Sequence, residues 1–353
     1  MSLIIDIEKS FPDFSLSVSL ECGEGTLALL GGSGCGKSLT LKCIAGLEKP
    51  DRGLIIINGQ TVFDCGGNGN RLINIPPQRR GIGYLFQNYA LFPTMTVQNN
   101  ITCVIKKPKK ERTAIADNMI NLFGLDEIRN LYPRQISGGQ QQRTALARIL
   151  VCEPKILLLD EPFSALDSHL RWSVEQEIGL LLSRFAGTTI FVSHNSGEVY
   201  RLCDRIAVMS QGKIDCTGTK TEIFELPKTL ASARIVGIRN ISKAEKLGEN
   251  LVKATEWGVN LKTEKPVPDK VSHVAIRSHD LTEGYGQDDD NILNCTITRV
   301  IHEPSKKIVI LAPETGHQDT QLQKIQFETT NDYLPQGTLK LKMPRDKIIL
   351  LEG

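Results

Sequence analysis

Residues 31–38 have the sequence Gly-Gly-Ser-Gly-Cys-Gly-Lys-Ser and fill every fixed position of the phosphate-binding pattern G-x-x-x-x-G-K-[ST]. Residues 26–30 before them are typical of a short buried strand, and the apolar positions in residues 39–44 predict a helix that Gly46 ends. A glycine-rich loop between a strand and a helix can turn its backbone N–H groups toward phosphate oxygens. The stretch therefore predicts a nucleotide site, since a chance glycine-rich turn does not account for both flanking elements.

The composition is that of an ordinary globular protein with room for two domains. The chain has 353 residues, 40% of them hydrophobic, and a formal net charge of +2. This charge gives no electrostatic case for nucleic acid as the main partner. No stretch has the length and apolarity of a membrane span, and residues 1–9 lack the apolar core of a signal peptide, so we expect a cytosolic protein.

The nine cysteines have neither C-x-x-C pairs nor metal-ligand spacing, so we expect free, buried thiols. Cys35 is the possible exception, because a thiol in an electropositive phosphate loop can have a lowered pKa and react with alkylating agents. Near the N terminus, alternating residues predict strands at 3–7 and 14–20. Phe11 in the turn between them is a candidate for stacking on a nucleotide base, although packing explains a lone turn phenylalanine equally well.

A second anion-binding element lies further along the chain. Ile136-Ser137-Gly138-Gly139-Gln140 precedes an apolar helix at 145–151, and small residues at a helix N terminus suit a phosphate group. One nucleotide therefore has two predicted phosphate sites.

Two apolar runs predict buried strands that end in polar residues. Residues 155–159 lead into Asp160 and Glu161, as expected of a parallel strand that delivers carboxylates to a crevice. Asp160 is predicted to hold Mg²⁺, mainly through water, and Glu161 to orient or deprotonate an attacking water. Residues 188–192 lead into Ser193 and His194, which places an imidazole at the end of a core strand.

Together these motifs resemble the ATP-binding subunits of ABC transporters over roughly the first two thirds of the chain. The resemblance identifies 31–38 as the Walker A loop, Gln87 as the Q-loop, 136–140 as the signature motif, 156–160 as Walker B with Glu161 as the catalytic carboxylate, 164–167 as the D-loop and His194 as the switch histidine. The one departure is Ile136, where the family usually has leucine.

Three sets of site residues follow from the pattern and the resemblance. Catalysis is assigned to Glu161, His194 and Gln87, and Mg²⁺ binding to Ser38, Gln87 and Asp160. The ATP-binding set is Phe11, Gly31, Gly32, Ser33, Gly34, Cys35, Gly36, Lys37, Ser38, Leu39, Ser137, Gly138, Gly139, Gln140 and Asp167.

The implied fold is an α/β P-loop NTPase of the ABC type over residues 1–237, with a helical subdomain at about 88–150. A small all-β, OB-like barrel over 238–353 follows, which strand-like runs at 251–255, 271–276, 292–300, 307–311, 322–327 and 338–341 support. Residues 274–280 resemble the C-terminal TOBE domains of importer ATPases, and 288–290 are expected in a solvated loop.

The resemblance also implies the assembly. Two copies pack head to tail, so that residues 137–139 of one close on ATP held by the Walker A loop of the other, and a single motif set implies a homodimer. Two integral membrane permease subunits and, indirectly, an extracytoplasmic solute-binding protein would place the chain at the cytoplasmic face of the membrane. Residues 77–80, 84–93 and 237–241 look most like molybdate importer ATPases, with sulfate/thiosulfate, sugar, polyamine and iron importers as alternatives.

Two further hypotheses remain open at this point. A soluble ABC ATPase of translation or DNA maintenance is one, although such proteins usually carry two motif sets or long coiled-coil insertions. The other concerns the barrel, which either only supports the dimer or binds an oxyanion and inhibits transport. Arg277, Ser278 and Lys306 are the candidate residues of that pocket.

Overall fold

The computed structural model describes residues 2–66, 72–164, 166, 168–284, 291–314, 322–331 and 337–352. Contacts divide the chain into two compact units, Met1–Lys220 and Thr221–Gly353. The structure thus groups residues 221–237 with the second unit, whereas the division expected from the sequence groups them with the first. Asp167 and residues 288–290 lie outside the described residues.

The first unit alternates strands and helices after an N-terminal hairpin. Its strands are β1 Leu3–Phe11, β2 Phe14–Cys22, β3 Gly25–Gly31, β4 Arg52–Ile57, β5 Gln60–Cys65, β6 Leu72–Asn74, β7 Ile82–Leu85, β8 Ile156–Asp160, β9 Thr188–Ser193, β10 Arg205–Ser210 and β11 Lys213–Thr219. Its helices are α1 Lys37–Ala45, α2 Val97–Thr102, α3 Lys109–Leu122, α4 Gly138–Leu150, α5 Ser168–Arg184 and α6 Ser196–Leu202, with short 3₁₀ turns at Pro77–Arg79, Asp126–Ile128 and Pro133–Gln135.

These strands form one sheet in the order β6-β5-β4-β1-β2-β11-β10-β3-β9-β8-β7. From β10 to β7 neighbouring strands run parallel, and every residue of β8 and β9 is buried, as expected for strands covered on both faces. From β6 to β2 they pair antiparallel, with β4 and β5 joined at Asn58 and Gly59, which both have positive φ as a tight hairpin requires. The parallel part brings the ends of β3, β8 and β9 to one edge.

The short α2, with α3 and α4, forms a separate helical layer with its own apolar core. Its fully buried members are Val97, Ile101, Ala116, Ile120, Leu125 and Ala147. The Asn100 side chain is also fully buried, where its Nδ2 donates to the carbonyls of Phe92, Met95 and Thr96, each at 3.1 Å. This amide therefore holds the segment that leads from β7 into α2.

The second unit begins with a π-helical turn, Thr221–Glu225, and α7 Leu230–Ile235. Its strands are β12 Asn240–Gly248, β13 Leu251–Ala254, β14 Val259–Lys262, β15 Val271–Ile276, β16 Thr282–Glu283, β17 Ile292–His302, β18 Lys307–Pro313, β19 Ile325–Thr329, β20 Thr338–Lys342 and β21 Ile349–Glu352, with a 3₁₀ turn at Arg345–Lys347. They form two five-stranded antiparallel sheets, β14-β13-β12-β15-β21 and β16-β20-β17-β18-β19. One core around Trp257, Val274, Leu311 and Leu341 joins both sheets, which is the arrangement of a small β-barrel domain.

Among the helices in the described part of the chain, none has both the length and the apolarity that crossing a bilayer requires.

Candidate nucleotide-binding and hydrolysis site

The phosphate-binding loop connects β3 to α1, as predicted. Gly34 and Gly36 adopt positive φ, at 78° and 104°. A Cβ atom on Gly31 would lie 2.5 Å from the Met209 carbonyl oxygen and 2.6 Å from the Cys35 sulfur, so the close approach of β10 leaves room only for glycine there. Gly32, by contrast, has nothing within 4 Å of such an atom and faces open space.

Lys37 is buried in this loop, and two loop carbonyls hold its ammonium group in position. Its Nζ donates to the carbonyl oxygens of Gly31 and Gly32, both at 2.9 Å, and lies 3.9 Å from the Cys35 sulfur. Cys35 is itself buried, with 9% of its surface exposed, so the structure does not offer this thiol to bulky alkylating agents. The loop thus holds an ammonium group and a helix N terminus, two features that attract a phosphate.

Asp160, at the end of β8, joins this loop to the neighbouring strand. Its Oδ1 accepts a hydrogen bond from Ser38 Oγ at 2.7 Å, and its Oδ2 accepts one from the Tyr84 hydroxyl at 2.9 Å. Burial, followed by the negative charge of Asp160, raises the pKa of Tyr84, so the phenol stays a donor. Sequence analysis missed Tyr84, because a tyrosine in an apolar strand gives no sign of a partner 76 residues away.

Glu161 and His194 meet one residue beyond β8 and β9. His194 Nδ1 lies 3.2 Å from Glu161 Oε1, with the imidazole half exposed and the carboxylate mostly covered. Glu161 has φ 45°, a left-handed conformation that is strained for a side chain of this kind. Its N–H donates to the Val192 carbonyl at 3.1 Å, and its carbonyl accepts from the Ser164 N–H and hydroxyl at 3.1 and 2.9 Å. Hydrogen bonds to Val192 and from Ser164 therefore hold the strained Glu161 backbone at both its N–H and its carbonyl.

The signature segment forms the start of α4. Ser137 is the N-cap, its N–H donates to Gln140 Oε1 at 2.9 Å, and the Gln140 N–H donates to Ser137 Oγ at 3.4 Å, which completes a capping box. A Cβ atom on Gly139 would lie 3.3 Å from Val174 of α5. Ser137 is exposed and Gly138 half-buried, so the helix N terminus can receive an anion from outside the chain.

Gln87 follows β7 and is exposed. The next turn contains two residues with positive φ, Tyr89 at 61° and Ala90 at 45°. Arg148 of α4 supports this turn by donating to the Tyr89 carbonyl at 3.0 Å and placing its guanidinium 5.3 Å from the centre of the Phe92 ring. The segment after Gln87 is therefore tied to the helix that begins with the signature residues.

The remaining predicted residues fall into two groups. Phe11 ends β1 at the tip of the hairpin, exposed, with Lys9 Nζ 5.2 Å from the centre of its ring, while Asp167 lies outside the described residues. In the second unit, the structure does not gather the proposed oxyanion residues into one cleft. Arg277 donates to the Phe224 carbonyl, Ser278 is buried, and Lys306 pairs with Glu328 at 2.7 Å beside a cleft of about 530 Å³ that neither of the other two lines.

Comparisons with known proteins agree with this geometry. The ABC transporter family profile matches residues 14–164. The sulfate/thiosulfate import ATP-binding protein CysA of Synechocystis sp. is 39% identical over 316 residues, which cover 86% of this chain and 82% of that protein. The spermidine/putrescine import ATP-binding protein PotA of Thermobifida fusca is 36% identical over 298 residues, 81% of this chain and 75% of that protein.

Among solved structures, the dimeric post-hydrolysis state of the ATP-binding cassette MJ0796, bound to ADP and Pi, is similar with a TM-score of 0.52 and 26% identity. The match covers 62% of this chain and 99% of that one, and it supports the P-loop fold of the first unit. This structural match and the two relatives, each aligned over most of its own length and of this chain, show the family. This chain belongs to the ABC transporter family, as the ATP-hydrolysing subunit of an import system.

Proposed function

We propose that this chain drives the import of sulfate or thiosulfate by hydrolysing Mg-ATP in a head-to-tail homodimer at the cytoplasmic face of the membrane. The observation that carries the catalytic part is the meeting of two pairs at one sheet edge, Ser38 with Asp160 and Glu161 with His194. The proposed identity of the solute rests on the relatives.

Lys37 and the loop around it bind the terminal phosphates of ATP. The ammonium group already lies against the Gly31 and Gly32 carbonyls, so little side-chain freedom is lost when a phosphate binds. The glycines leave the loop N–H groups unobstructed, and the N terminus of α1 adds its positive end. Phe11 is the proposed stacking partner of the adenine base, which its exposure at the hairpin tip permits.

The residues present fit a Mg²⁺ ion. Ser38 Oγ and Asp160 Oδ1 are hard oxygen donors that point at each other across 2.7 Å, and Gln87 is the third proposed ligand. Ser38, Asp160 and Gln87 would hold the ion, which would supply positive charge beside the terminal phosphates. Tyr84 holds the far oxygen of Asp160, which leaves Oδ1 directed toward Ser38.

Glu161 is the proposed group that orients or deprotonates the attacking water. His194 Nδ1 lies 3.2 Å from the Glu161 carboxylate, and His194 is proposed to contact the terminal phosphate. Ser137 is exposed and Gly138 half-buried at the N terminus of α4, so this end of the helix is open to the phosphates of ATP held by a second copy. Gly139 and Asp167 are also proposed to act there. ATP would then close the dimer and hydrolysis would release it.

Transport requires partners. Two integral membrane permease subunits and an extracytoplasmic solute-binding protein are proposed, with the segment between Gln87 and α2 as the contact that transmits closure of the dimer. The buried Asn100 of α2 donates to the Phe92 and Met95 carbonyls of this segment, and Arg148 of α4 donates to its Tyr89 carbonyl, so the segment is tied to both helices.

The solute is proposed from the relatives. The match to the sulfate/thiosulfate import protein spans 316 residues, more than the 220 of the first unit, so it extends into the second unit. It favours sulfate and thiosulfate over molybdate, the solute that local sequence resemblance suggested. The polyamine importer relative is nearly as similar and makes spermidine or putrescine the second candidate.

Uptake of labelled sulfate, thiosulfate, molybdate and spermidine would test the proposal in cells that lack this gene. We expect loss of sulfate and thiosulfate uptake, restored by the wild-type gene and not by Lys37→Ala. Loss of spermidine uptake alone, or of molybdate uptake alone, would overturn the solute, and equal rescue by Lys37→Ala would overturn the role of ATP.

A further inference from the structure

Behind the Glu161–His194 contact, a second route joins the two segments that carry these residues. On one side, Arg171 Nη2 in α5 donates to the carbonyl of Phe163, two residues after Glu161, at 3.3 Å. On the other, Arg171 Nη1 lies 3.9 Å from Glu198 Oε1 in α6. A single guanidinium thus contacts both segments.

Glu198, which lies near Arg171, also binds the side chain of Ser193, the residue before His194. Its Oε2 accepts a hydrogen bond from Ser193 Oγ at 2.7 Å, and the same Ser193 oxygen accepts one from the Asn195 N–H at 2.9 Å. Ser193 and Glu198 are both buried, with 2% and 5% of their surfaces exposed. The peptide units on both sides of His194 are therefore fixed by a covered carboxylate.

These contacts close a ring. It passes from Glu161 through Phe163, Arg171, Glu198 and Ser193 to His194, and returns through the Nδ1–Oε1 contact of 3.2 Å. Because the imidazole is half exposed and its neighbour Glu161 has a strained backbone, the direct contact alone gives His194 little restraint. Ser193 and Glu198, the buried members of the ring, supply the additional restraint on His194.

We propose that Arg171 and Glu198 are positioning residues that set the distance between Glu161 and His194 during ATP hydrolysis. The inference rests on the catalytic roles proposed for those two residues. Neither Arg171 nor Glu198 needs to touch the nucleotide, since each acts through the backbone of the segment it holds. The guanidinium fork is suited to this, because it contacts a carbonyl and a carboxylate in different directions at once.

A second ion pair on the same two helices is a matched control. Arg201 of α6 contacts both carboxylate oxygens of Glu175 in α5, with Nη2 at 2.9 Å from Oε2, and its guanidinium lies 5.8 Å from the centre of the Trp172 ring. Glu175 is buried. This pair joins α5 to α6 as Arg171 and Glu198 do. It lies within electrostatic range of Glu198, but none of its hydrogen bonds in the described residues goes to a member of the ring.

The test compares Arg171→Met, Glu198→Gln and Arg201→Lys in the full-length protein by steady-state ATP hydrolysis and thermal unfolding. For Arg171→Met and Glu198→Gln we expect kcat to fall about tenfold with KM for ATP changed less than twofold, since displacement of a catalytic group lowers turnover rather than substrate binding. Arg201→Lys should lower the unfolding temperature and leave kcat unchanged.

Double variants decide whether the effect passes through the ring. Arg171→Met with Glu198→Gln should be no slower than either alone, and Arg171→Met should have no further effect in a His194→Ala background measured by single turnover. Additive losses, or an unchanged kcat in both single variants, would overturn the inference. If Arg171→Met does not fold, Glu198→Gln alone carries the comparison, because its amide oxygen can still accept from Ser193 while its NH₂ group replaces the charged oxygen that faces Arg171.

The proposed function is tested separately by His194→Ala and Glu161→Gln. If these two variants hydrolyse ATP at the wild-type rate, the catalytic assignment is wrong. If they are slow while the Arg171 and Glu198 variants are not, the positioning inference alone fails.

Discussion

The substitution Tyr84→Phe should destabilise the first unit more than the loss of a single hydroxyl group suggests. The hydroxyl donates to Asp160 Oδ2 at 2.9 Å, and Asp160 has only 6% of its surface exposed. Without the donor, one oxygen of a buried carboxylate loses its partner, while Ser38 still donates to the other. The change isolates one hydrogen bond to a charged group.

A hydrogen bond to a charged acceptor contributes about 1.5–3 kcal/mol, and the Asp160 oxygen cannot recover it from water without moving. We therefore expect a loss of about 2 kcal/mol in unfolding free energy, which corresponds to a fall of roughly 4–8 °C in the unfolding temperature of a unit of this size. Tyr89→Phe is the matched control. Its hydroxyl is also buried, but it donates to the neutral Pro162 carbonyl at 3.5 Å, so about 0.5 kcal/mol is expected there.

Tryptophan fluorescence can follow the first unit alone. The chain has two tryptophans, of which Trp172 lies in α5 and Trp257 in the second unit. In a Trp257→Phe background, the midpoints of Tyr84→Phe and Tyr89→Phe are compared by urea and thermal unfolding. A Tyr84→Phe shift no larger than the Tyr89→Phe shift would refute the reasoning.

Four further outcomes are expected. Burial raises the pKa of Tyr84 in the folded state, so above pH 10 the folded protein keeps a proton that the unfolded chain releases. The unfolding free energy of the wild type should therefore fall with rising pH more steeply than that of Tyr84→Phe. Parallel curves for the two proteins would contradict this. Glu161→Gln should slow phosphate release about a hundredfold or more and accumulate an ATP-bound dimer on size exclusion, whereas a fast-turnover variant would end its assigned role. Ser137→Ala should remove the capping box at a cost of about 1 kcal/mol and weaken ATP-driven dimerisation. Ser183→Ala is the unaffected control, because among the described residues its hydroxyl bonds only to the Leu180 carbonyl. Gly53→Ala should lower the unfolding free energy by about 3 kcal/mol or more, because its Cβ would lie 1.9 Å from the Asp6 carbonyl oxygen. Gly59→Ala, where φ is positive but the surrounding space is open, should lower it by about 1 kcal/mol. Similar unfolding midpoints for the two variants would show that the β1–β4 pairing tolerates the added methyl group.

The sequence predicts the parallel part of the fold well because its signals are local. Residues 156–160 are a continuous apolar run before two carboxylates, and the structure has a fully buried strand, Ile156–Asp160, at that place. The dipeptide Asn58-Gly59 is a short-range hairpin signal of the same kind, and the structure has the β4–β5 hairpin there. Glycines and strand lengths fix such elements without reference to the rest of the chain.

Elements that depend on distant partners were predicted less well. The spacing of Ile115, Met119 and Leu122 favours one covered face of α3. The structure buries Ala116 and Ile120 fully, packs Ile115 and Met119 half-buried beside them, and leaves Leu122 exposed, because the contacts with α2 and α4 decide which side is covered. Strand β21 was missed, since Ile349–Glu352 gains its role by pairing with β15, far away in the sequence.

The same distinction applies to the site. The phosphate loop, Asp160, Glu161 and His194 stand at the ends of elements that short patterns predict, whereas Tyr84, Arg171 and Glu198 contact residues on other strands and helices. No spacing along the chain relates Tyr84 to Asp160. Such supporting residues become visible only when the sheet brings β7 beside β8.

The left-handed backbone of Glu161 places a conformational cost at the residue that is proposed to activate water. A conformation of this kind costs about 1–3 kcal/mol for a side chain and almost nothing for glycine. Any selection that rewards heat resistance without rewarding transport would therefore favour glycine over glutamate there and remove the carboxylate. A laboratory evolution experiment on this protein would need to select for activity in every round, because the easiest gain in stability lies at the residue on which hydrolysis is proposed to depend.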